Sequence, residues 1–511
     1  MPTSIVIWTA GLRLGESTMT KNTIAVMAPL LVADPAAGLN QDEWRHAWSK
    51  FDEQLATAKR LGAQAVSVDI WWGLVEKVER QYDWSYYDTI SDHIINAGLK
   101  WVPIMSLHQC GGNIGDTVNV PLPAWIWTKL GSKLVSRDVN AVKYVSEQGN
   151  SSPEYVSCWA TNLVLDDYTA FFAAFQNHFA GKASHIAEIN ISLGPAGELR
   201  FPSYNSHDKN TDYPTRGALQ CYSELARKSF VDYVMTKYGD RDGVRQAWGE
   251  FENIEPPVDA EAFFAHKVHV NTRYGQDLFD WYTSSLYEHG RKVMTAALGV
   301  FSADSAPFVG IDLGAKVPGV HWRMGHVEGD RIVLSDRLAE LNAGLVRTSD
   351  WNNDESHGYR NIISLFRHFQ CIKPGTRVVL HFTCLEMADG ENESLAFQLV
   401  RWVGAEAKRQ GVVIKGENAL NYTLYNVEAW QRLRSAMSLY AGLTILRIND
   451  VTDNDVARRE FQETTKLAAT TESPAPTVDV MQGCECIVRW PINQVLHFIR
   501  AACRTQAAAG M

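Results

Sequence analysis

Two segments of the 511-residue chain set an acidic side chain at or just beyond the end of a short apolar run: Glu198 in GPAGELRFPSY (194–204) and Glu417 in GVVIKGENAL (411–420). Two carboxyl groups facing one another across a cleft can cleave a glycosidic bond, because one protonates the departing oxygen while the other activates water or attacks the sugar carbon. Other apolar runs also finish in polar side chains. Asp69 stands beside Trp71 and Trp72, His108 opens HQCGGNIGD (108–116), and Lys316, Thr383, Glu386, Asn418 and Arg447 close later runs. A single Asp or Arg in such a place is ordinarily a cap or an ion-pair partner. Polar ends on seven of eight runs form a pattern, and the 17 Trp and 18 Tyr of the chain offer flat faces for sugar rings even if most of them pack the core.

The elements that must position these groups are legible as runs rich in Val, Ile and Leu, bounded by turn residues and separated by helix-like segments. This is the mark of parallel strands buried on both faces. The runs cover 23–32, 63–72, 100–108, 186–195, 307–316, 377–387, 411–420 and 441–450. Between them lie amphipathic segments such as 42–62 and 395–411, each ending in Gly. Eight β-then-α units predict a (β/α)8 TIM barrel, whose chemistry lies at the C-terminal ends of its strands. The gaps after the third and fourth strands are far longer than a helix and two turns require, and are expected to build a lobe over one barrel mouth. Gly111, Gly112 and Gly115 make the stretch after strand three a candidate mobile lid carrying Asp116; the bland reading is a tight turn.

Composition narrows the function. A formal charge of −10 disfavours a large phosphate-binding surface, so a nucleic-acid partner is not expected. GGNIGD lacks the Gly-Lys-Ser/Thr ending and the spacing of nucleotide-binding loops. The eight cysteines are scattered and read as mostly free thiols; the pair in GCEC (483–486) has no matching second pair for zinc. No apolar stretch is long enough to cross a membrane, and no H-E-x-x-H or clustered Cys/His pattern calls for a catalytic metal. The segment SIVIWTAGL has no positive charge before it and no clear cleavage site, so a signal peptide is not expected and an intracellular setting is favoured.

Five segments in order, HQCGGNIGD, GPAGELRFPSY, AKVPGVHW, HFTCLEM and KGENAL, resemble the signature segments of the β-amylases, inverting exo-acting enzymes that release maltose from starch. The resemblance runs from about residue 22 to 455. It implies Glu198 as general acid and Glu417 as general base. It further implies glucose-binding roles for Asp69, His108, Asp116 on the lid, Lys316, His321, Thr383 on a short inner loop, Asn418 and Ala419 beside the base, and Arg447. No cofactor is implied. Some bacterial members of that family bind calcium through acidic residues near the second strand and on a later helix. Here EKVERQYDW (76–84) keeps acids, whereas NLVLDDYTAFF (162–172) has an apolar residue at one expected ligand position, so no metal is expected.

The resulting division is an unplaced N-terminal extension (1–21), a catalytic barrel (22–455) and a C-terminal surface segment (456–511) without a separate starch-binding domain. Two alternatives stay open. One is a retaining barrel glycosidase, a group that also carries carboxylates on strands four and seven but usually has Asn before its acid, where this chain has Gly197. The other is a sugar-binding relative that has lost turnover, against which the retention of Glu198, Glu417 and Asp116 argues.

Overall fold

Eight short strands pair in chain order and close on themselves: β1 (Thr23–Met27), β2 (Ala65–Trp71), β3 (Lys100–Ser106), β4 (Glu188–Ile191), β5 (Asp312–Val317), β6 (Val378–Phe382), β7 (Val413–Glu417) and β8 (Gly442–Ile445). Every pair is parallel, and β8 meets β1 through Thr23↔Gly442 to Val26↔Ile445. In this computed structural model the described residues are 22–472 without 113–115, 205–207, 212–216, 329–330, 335–336, 351–356 and 374. The N-terminal extension, the tail beyond 472 with its Cys484 and Cys486, and the centre of the Gly-rich loop lie outside them. Among the described residues Cys110, Cys158, Cys221, Cys371 and Cys384 are free thiols, and no helix is long and apolar enough to cross a membrane.

The last α-helix before the next strand, and after β8 the last described, forms the outer ring: Gln41–Arg60, Ser85–Asn96, Thr161–Phe179, Arg273–Phe301, Arg360–Ile372, Ala396–Gln410, Val427–Ala436 and Asp455–Thr470. The first shows how sequence sets such an element. Asn40 accepts from the backbone N–H groups of Asp42 and Glu43 while the Glu43 carboxylate returns to the Asn40 N–H, a capping box, and Trp48, Phe51, Leu55 and Ala58 form the buried stripe. Asp455–Thr470 buries Ala457, Phe461, Thr464 and Ala468, and its Thr465 hydroxyl donates to Leu61 O. This helix completes the ring around the barrel, so the barrel extends beyond residue 455.

The strands are shorter than the apolar runs that announce them. Residues 307–311 are turn and not strand, 28–32 leave the sheet after Met27, and 448–453 form the helix Ile448–Asp453. Glu386 is likewise not a strand end: β6 stops at Phe382 and Glu386 lies in the following turn. Burial accounts for the overruns beyond the first and last strands, where Leu30, Ile448 and Val451 are buried outside the sheet, whereas the segment before β5 buries Phe308 and exposes Val309. The connections after β3 and β4 pack against each other, with Val145 bridging Cys221 and Ser146 Oγ donating to Asp208 Oδ1 at 2.7 Å. The connection after β5, holding the hairpin Gly325–Glu328 with Arg331–Leu334, is also long and was not singled out from the sequence. Its Arg337 pairs with Glu147 of the connection after β3.

The barrel interior is layered by the two-residue alternation of its strands. Val379 of β6, Val413 of β7 and Ala441 make an apolar floor. One step up, Glu188 of β4 meets His381 Nε2 of β6 and accepts from Lys415 Nζ of β7 at 2.6 Å. A Cβ at Gly314 of β5 would fall 2.6 Å from Glu188 Oε1 and 2.2 Å from Asn190 Oδ1, so glycine makes room for this polar layer. The next step brings Lys316, Thr383 and Glu417 to the open end. Burial alone would raise the Glu188 carboxyl, but Lys415 and His381 outweigh it and hold it well below the ordinary value of 4.5. Its contribution to stability is therefore complete above that value and is lost as the pH falls through the lowered one. We expect Glu188→Gln to cost about 3–5 kcal/mol at neutral pH by leaving the Lys415 ammonium without its buried carboxylate. In melting curves recorded against pH, the gap to wild type should narrow below pH 4.5.

Candidate active site

The segment around Glu198 solves a local problem of geometry. After Ile191 the chain leaves β4, turns through Pro195–Gly197, and returns to pair with β5: Glu198 bridges Lys316 and the Leu199 N–H donates to Lys316 O at 2.8 Å. Two glycines permit the turn. A Cβ at Gly194 would lie 2.4 Å from Glu198 O and 2.8 Å from Arg200 O, and Gly197 has φ +80° with its missing Cβ facing His108 Cε1 at 3.3 Å. Glu198 thus reaches the mouth by rejoining the sheet, not as the last residue of a continuous strand four.

The Glu198 carboxyl is held at both oxygens. Oε2 accepts from Arg200 Nε at 2.9 Å, and Thr383 Oγ1 lies 3.4 Å from Oε1 while itself accepting from the Gly319 N–H at 2.9 Å. Burial raises this carboxyl above its usual range, opposed by the Arg200 and Lys316 cations and assisted by the negative charge of Glu417. Glu417, the last residue of β7, accepts from Lys316 Nζ at 2.6 Å, and both side chains are buried. Each carboxyl thus has a buried cation, Arg200 for Glu198 and Lys316 for Glu417, and at Glu198 burial outweighs that cation, which suits a retained proton.

The other expected site residues gather around this pair to different degrees. Asp69 accepts from Ser106 Oγ at 2.8 Å; burial raises its carboxyl, while Arg447 and Lys316 pull it down. His108 hydrogen-bonds Ser192 Oγ through Nδ1 at 2.9 Å and meets Trp71 edge-on; burial, with Lys316 and Arg200 nearby, lowers its pKa to about 3 and keeps the ring neutral. His321, lowered to about 3 by burial, packs against Trp322, which meets the Tyr204 ring at 4.6 Å. Asn418 is clamped to β8 by accepting from the Leu446 N–H at 2.8 Å and donating to Leu446 O at 3.1 Å. Arg447 donates to Ala28 O at 3.0 Å, spanning from β8 to the end of β1. Asp116 accepts from the Gly111 N–H at 2.8 Å, bridging the two ends of a loop whose residues 113–115 lie outside the described residues.

Arg200 was not among the expected site residues, and Glu386, expected only as a polar strand end, has a different part. Arg200 is fully buried, pairs with Glu198 and lies 4.1 Å from the Tyr204 ring centroid. Glu386 turns its carboxylate onto the backbone beyond Glu417, accepting from Ala419 N at 2.9 Å and Leu420 N at 2.8 Å. Burial lifts the Glu386 carboxyl to about 7 against these donors. Ala419 is therefore placed by Glu386. Nothing local in the sequence marks either role, except that Arg200 and Glu386 are charged residues inside otherwise apolar turn segments.

Opposed carboxyl groups, each beside a buried cation, at the C-terminal mouth of a closed parallel barrel, form a site suited to hydrolysing glycosidic bonds. Residues 26–471 match the pattern described as glycosyl hydrolase family 14. The chain is 36% identical over 464 residues to a thermophilic beta-amylase of Thermoanaerobacterium thermosulfurigenes, covering 88% of this chain and 76% of that protein. It is 35% identical to a beta-amylase of Cytobacillus firmus, covering 83% of each. The catalytic domain of beta-amylase from Paenibacillus polymyxa superposes with a TM-score of 0.70 at 33% identity, over 86% of this chain and 97% of that one. The chain belongs to glycosyl hydrolase family 14 and is a glycoside hydrolase.

The acids singled out for calcium do not fit that ion. Glu76 Oε2 accepts from Trp72 Nε1 at 2.7 Å and Oε1 from the Arg80 N–H at 2.7 Å. Asp167 Oδ1 accepts from Arg80 at 2.9 Å and from Lys129 Nζ at 2.7 Å, and Lys129 also pairs with Glu79. Two side-chain cations thus stand among oxygens that a calcium site, with its six to eight oxygen ligands, would need for itself. EDTA should accordingly leave both activity and melting temperature unchanged; a fall in melting temperature restored by added calcium would contradict this.

Proposed function

We propose that this enzyme hydrolyses α-1,4-glucosidic linkages of starch and maltodextrins from the non-reducing end and releases β-maltose, with Glu198 as general acid and Glu417 as general base. The observation that carries the assignment is that burial outweighs the Arg200 cation at Glu198 and raises its carboxyl, while Glu417 stands 2.6 Å from the Lys316 ammonium. The beta-amylase relatives supply the substrate class.

In this reading the Glu198 proton passes to the glycosidic oxygen as the bond from that oxygen to the anomeric carbon breaks. Glu417 takes a proton from a water whose oxygen bonds the same carbon from the opposite face, a geometry that needs about 6.5–9.5 Å between the two carboxyl groups. One displacement turns the α linkage into a β product. Asp69, His108, Lys316, His321, Thr383, Asn418, the Ala419 backbone and Arg447 hold sugar hydroxyls around the bond to be broken. Fixed hydrogen-bonding groups of this kind supply rate by orienting the bond to be broken. The packed connections after β3 and β4 deepen one end of the cleft, which favours entry by a chain terminus. Asp116, which accepts from the Gly111 N–H, adds a further hydrogen-bonding group for the bound chain.

Glu198→Gln and Glu417→Gln should each lower kcat by about 10²–10⁴ with the fold intact; wild-type turnover in either would remove its assignment. Proton NMR of a fresh digest should show maltose forming first as the β anomer, and the α anomer would point to a retaining enzyme. Asp116→Asn should lower kcat or raise KM while leaving the melting temperature unchanged, and unaltered kinetics would take the loop out of the mechanism.

A further inference from the structure

We propose that Arg200 is a positioning residue for the acid step: it fixes which oxygen of Glu198 carries the proton and stabilises the carboxylate that Glu198 becomes when the proton leaves. This rests on the assignment of Glu198 as the general acid. The guanidinium is fully buried, and three contacts define its place: Nε donates to Glu198 Oε2 at 2.9 Å, Nη1 donates to Phe201 O at 3.2 Å, and the group lies against the Tyr204 ring. A planar donor locked in this way cannot follow a moving side chain, so the carboxyl must align with it. Oε2 accepts the shorter, charged donor, so the proton of the neutral acid sits on Oε1, where the 3.4 Å contact donated by the Thr383 hydroxyl gives way by rotation of that hydroxyl.

The charge then acts differently at the two ends of the reaction. With Glu198 neutral, Arg200 makes a hydrogen bond to a carboxyl oxygen. As the proton transfers to the glycosidic oxygen and the electron pair of the breaking bond goes to that oxygen, Glu198 gains a full negative charge and the same contact becomes a charge-assisted one. An interaction that strengthens along the reaction lowers the barrier, whereas one equally strong in the ground state does not. The cost is a stronger acid, one that surrenders its proton to solvent at lower pH. Burial opposes that loss and outweighs Arg200 in the balance at Glu198.

The other groups facing Glu198 do not duplicate this contact. Lys316 from β5 lowers its carboxyl at longer range and is engaged by Glu417. Glu417 from β7 raises it, Cys384 and Thr383 face it from the turn after β6, and neutral His108 lies behind Gly197. The Tyr204 hydroxyl, a neutral donor, also hydrogen-bonds the Glu198 carboxyl while its ring lies against Arg200, and buried Glu154 completes the surroundings of the guanidinium.

The test is the pH dependence of kcat/KM on maltodextrin for Arg200→Gln and Arg200→Lys, with Glu198→Gln beside them. Gln keeps a neutral donor and removes the charge, so the basic limb should move to higher pH by at least about one unit, the lower end of what an adjacent opposite charge does to a carboxyl. Its kcat should fall roughly 10-fold or more. Lys keeps the charge, so its basic limb should stay near the wild-type position. On α-maltosyl fluoride, whose leaving group needs less protonation, Arg200→Gln should lose much less activity than on maltodextrin, a difference that general damage to the fold would not produce. An unmoved basic limb in Arg200→Gln, or equal losses on both substrates, overturns the role of Arg200 while Glu198→Gln remains inactive. Full activity of Glu198→Gln would instead overturn the acid assignment. If Arg200→Gln does not fold, Arg200→Lys decides: a basic limb displaced as far as loss of charge requires, or equal losses on the two substrates, overturns the proposal.

Discussion

The mouth of the barrel depends on one buried cation. Lys316 stands on β5 beside the returning segment that carries Glu198, 2.6 Å from Glu417 of β7, and its charge reaches Asp69, Glu198 and His108 as well. Three acids brought together out of water would repel one another and neutralise by taking up protons. A single lysine that pairs with one of them and lowers the others allows the set to coexist. Arg447 does the same for Asp69 from β8 and Arg200 for Glu198, so each acid at the mouth has a cation suited to its place.

That arrangement stands on a polar layer below it. Glu188, His381 and Lys415 fill the barrel beneath Lys316 and Glu417, and Gly314 provides the space for them. A wholly apolar filling would pack as well, but here the alternating positions of β4, β6 and β7 continue upward from this layer into the functional side chains. The register that satisfies Glu188 is also the register that presents Thr383 and Glu417, because a slip by one residue would turn every one of these side chains to the helical layer.

Above the strands, backbone is held by side chains. Glu386 grips the N–H groups of Ala419 and Leu420, Asn418 is tied to both polar groups of Leu446, and the Arg447 guanidinium reaches Ala28 O. Turns at the ends of β1, β6, β7 and β8 therefore form one connected rim. A loop fixed in this manner keeps its hydrogen-bonding groups in place without first having to be ordered, which is the advantage of a preorganised site.

Much of this was written into the sequence. Apolar runs at the spacing of β/α units determined the barrel, because strands buried on both faces require such runs and helices between them require amphipathic ones. The polar residues closing those runs determined which side chains reach the mouth, and the five signature segments determined the family. The sequence did not reveal where the strands stop, since apolar residues buried outside the sheet, such as Leu30 and Ile448, resemble strand residues. It also could not show that Glu198 returns to β5 after leaving β4, that Arg200 folds back onto it, that Glu386 holds the backbone after Glu417, or that Arg80 and Lys129 occupy the acid cluster near Trp72. Those are choices of partner, and they were decided by tertiary structure. Periodicity reports the face on which a residue lies, whereas its partner is set by which strands lie side by side once the barrel closes, as when Lys316 meets a carboxylate 101 residues away.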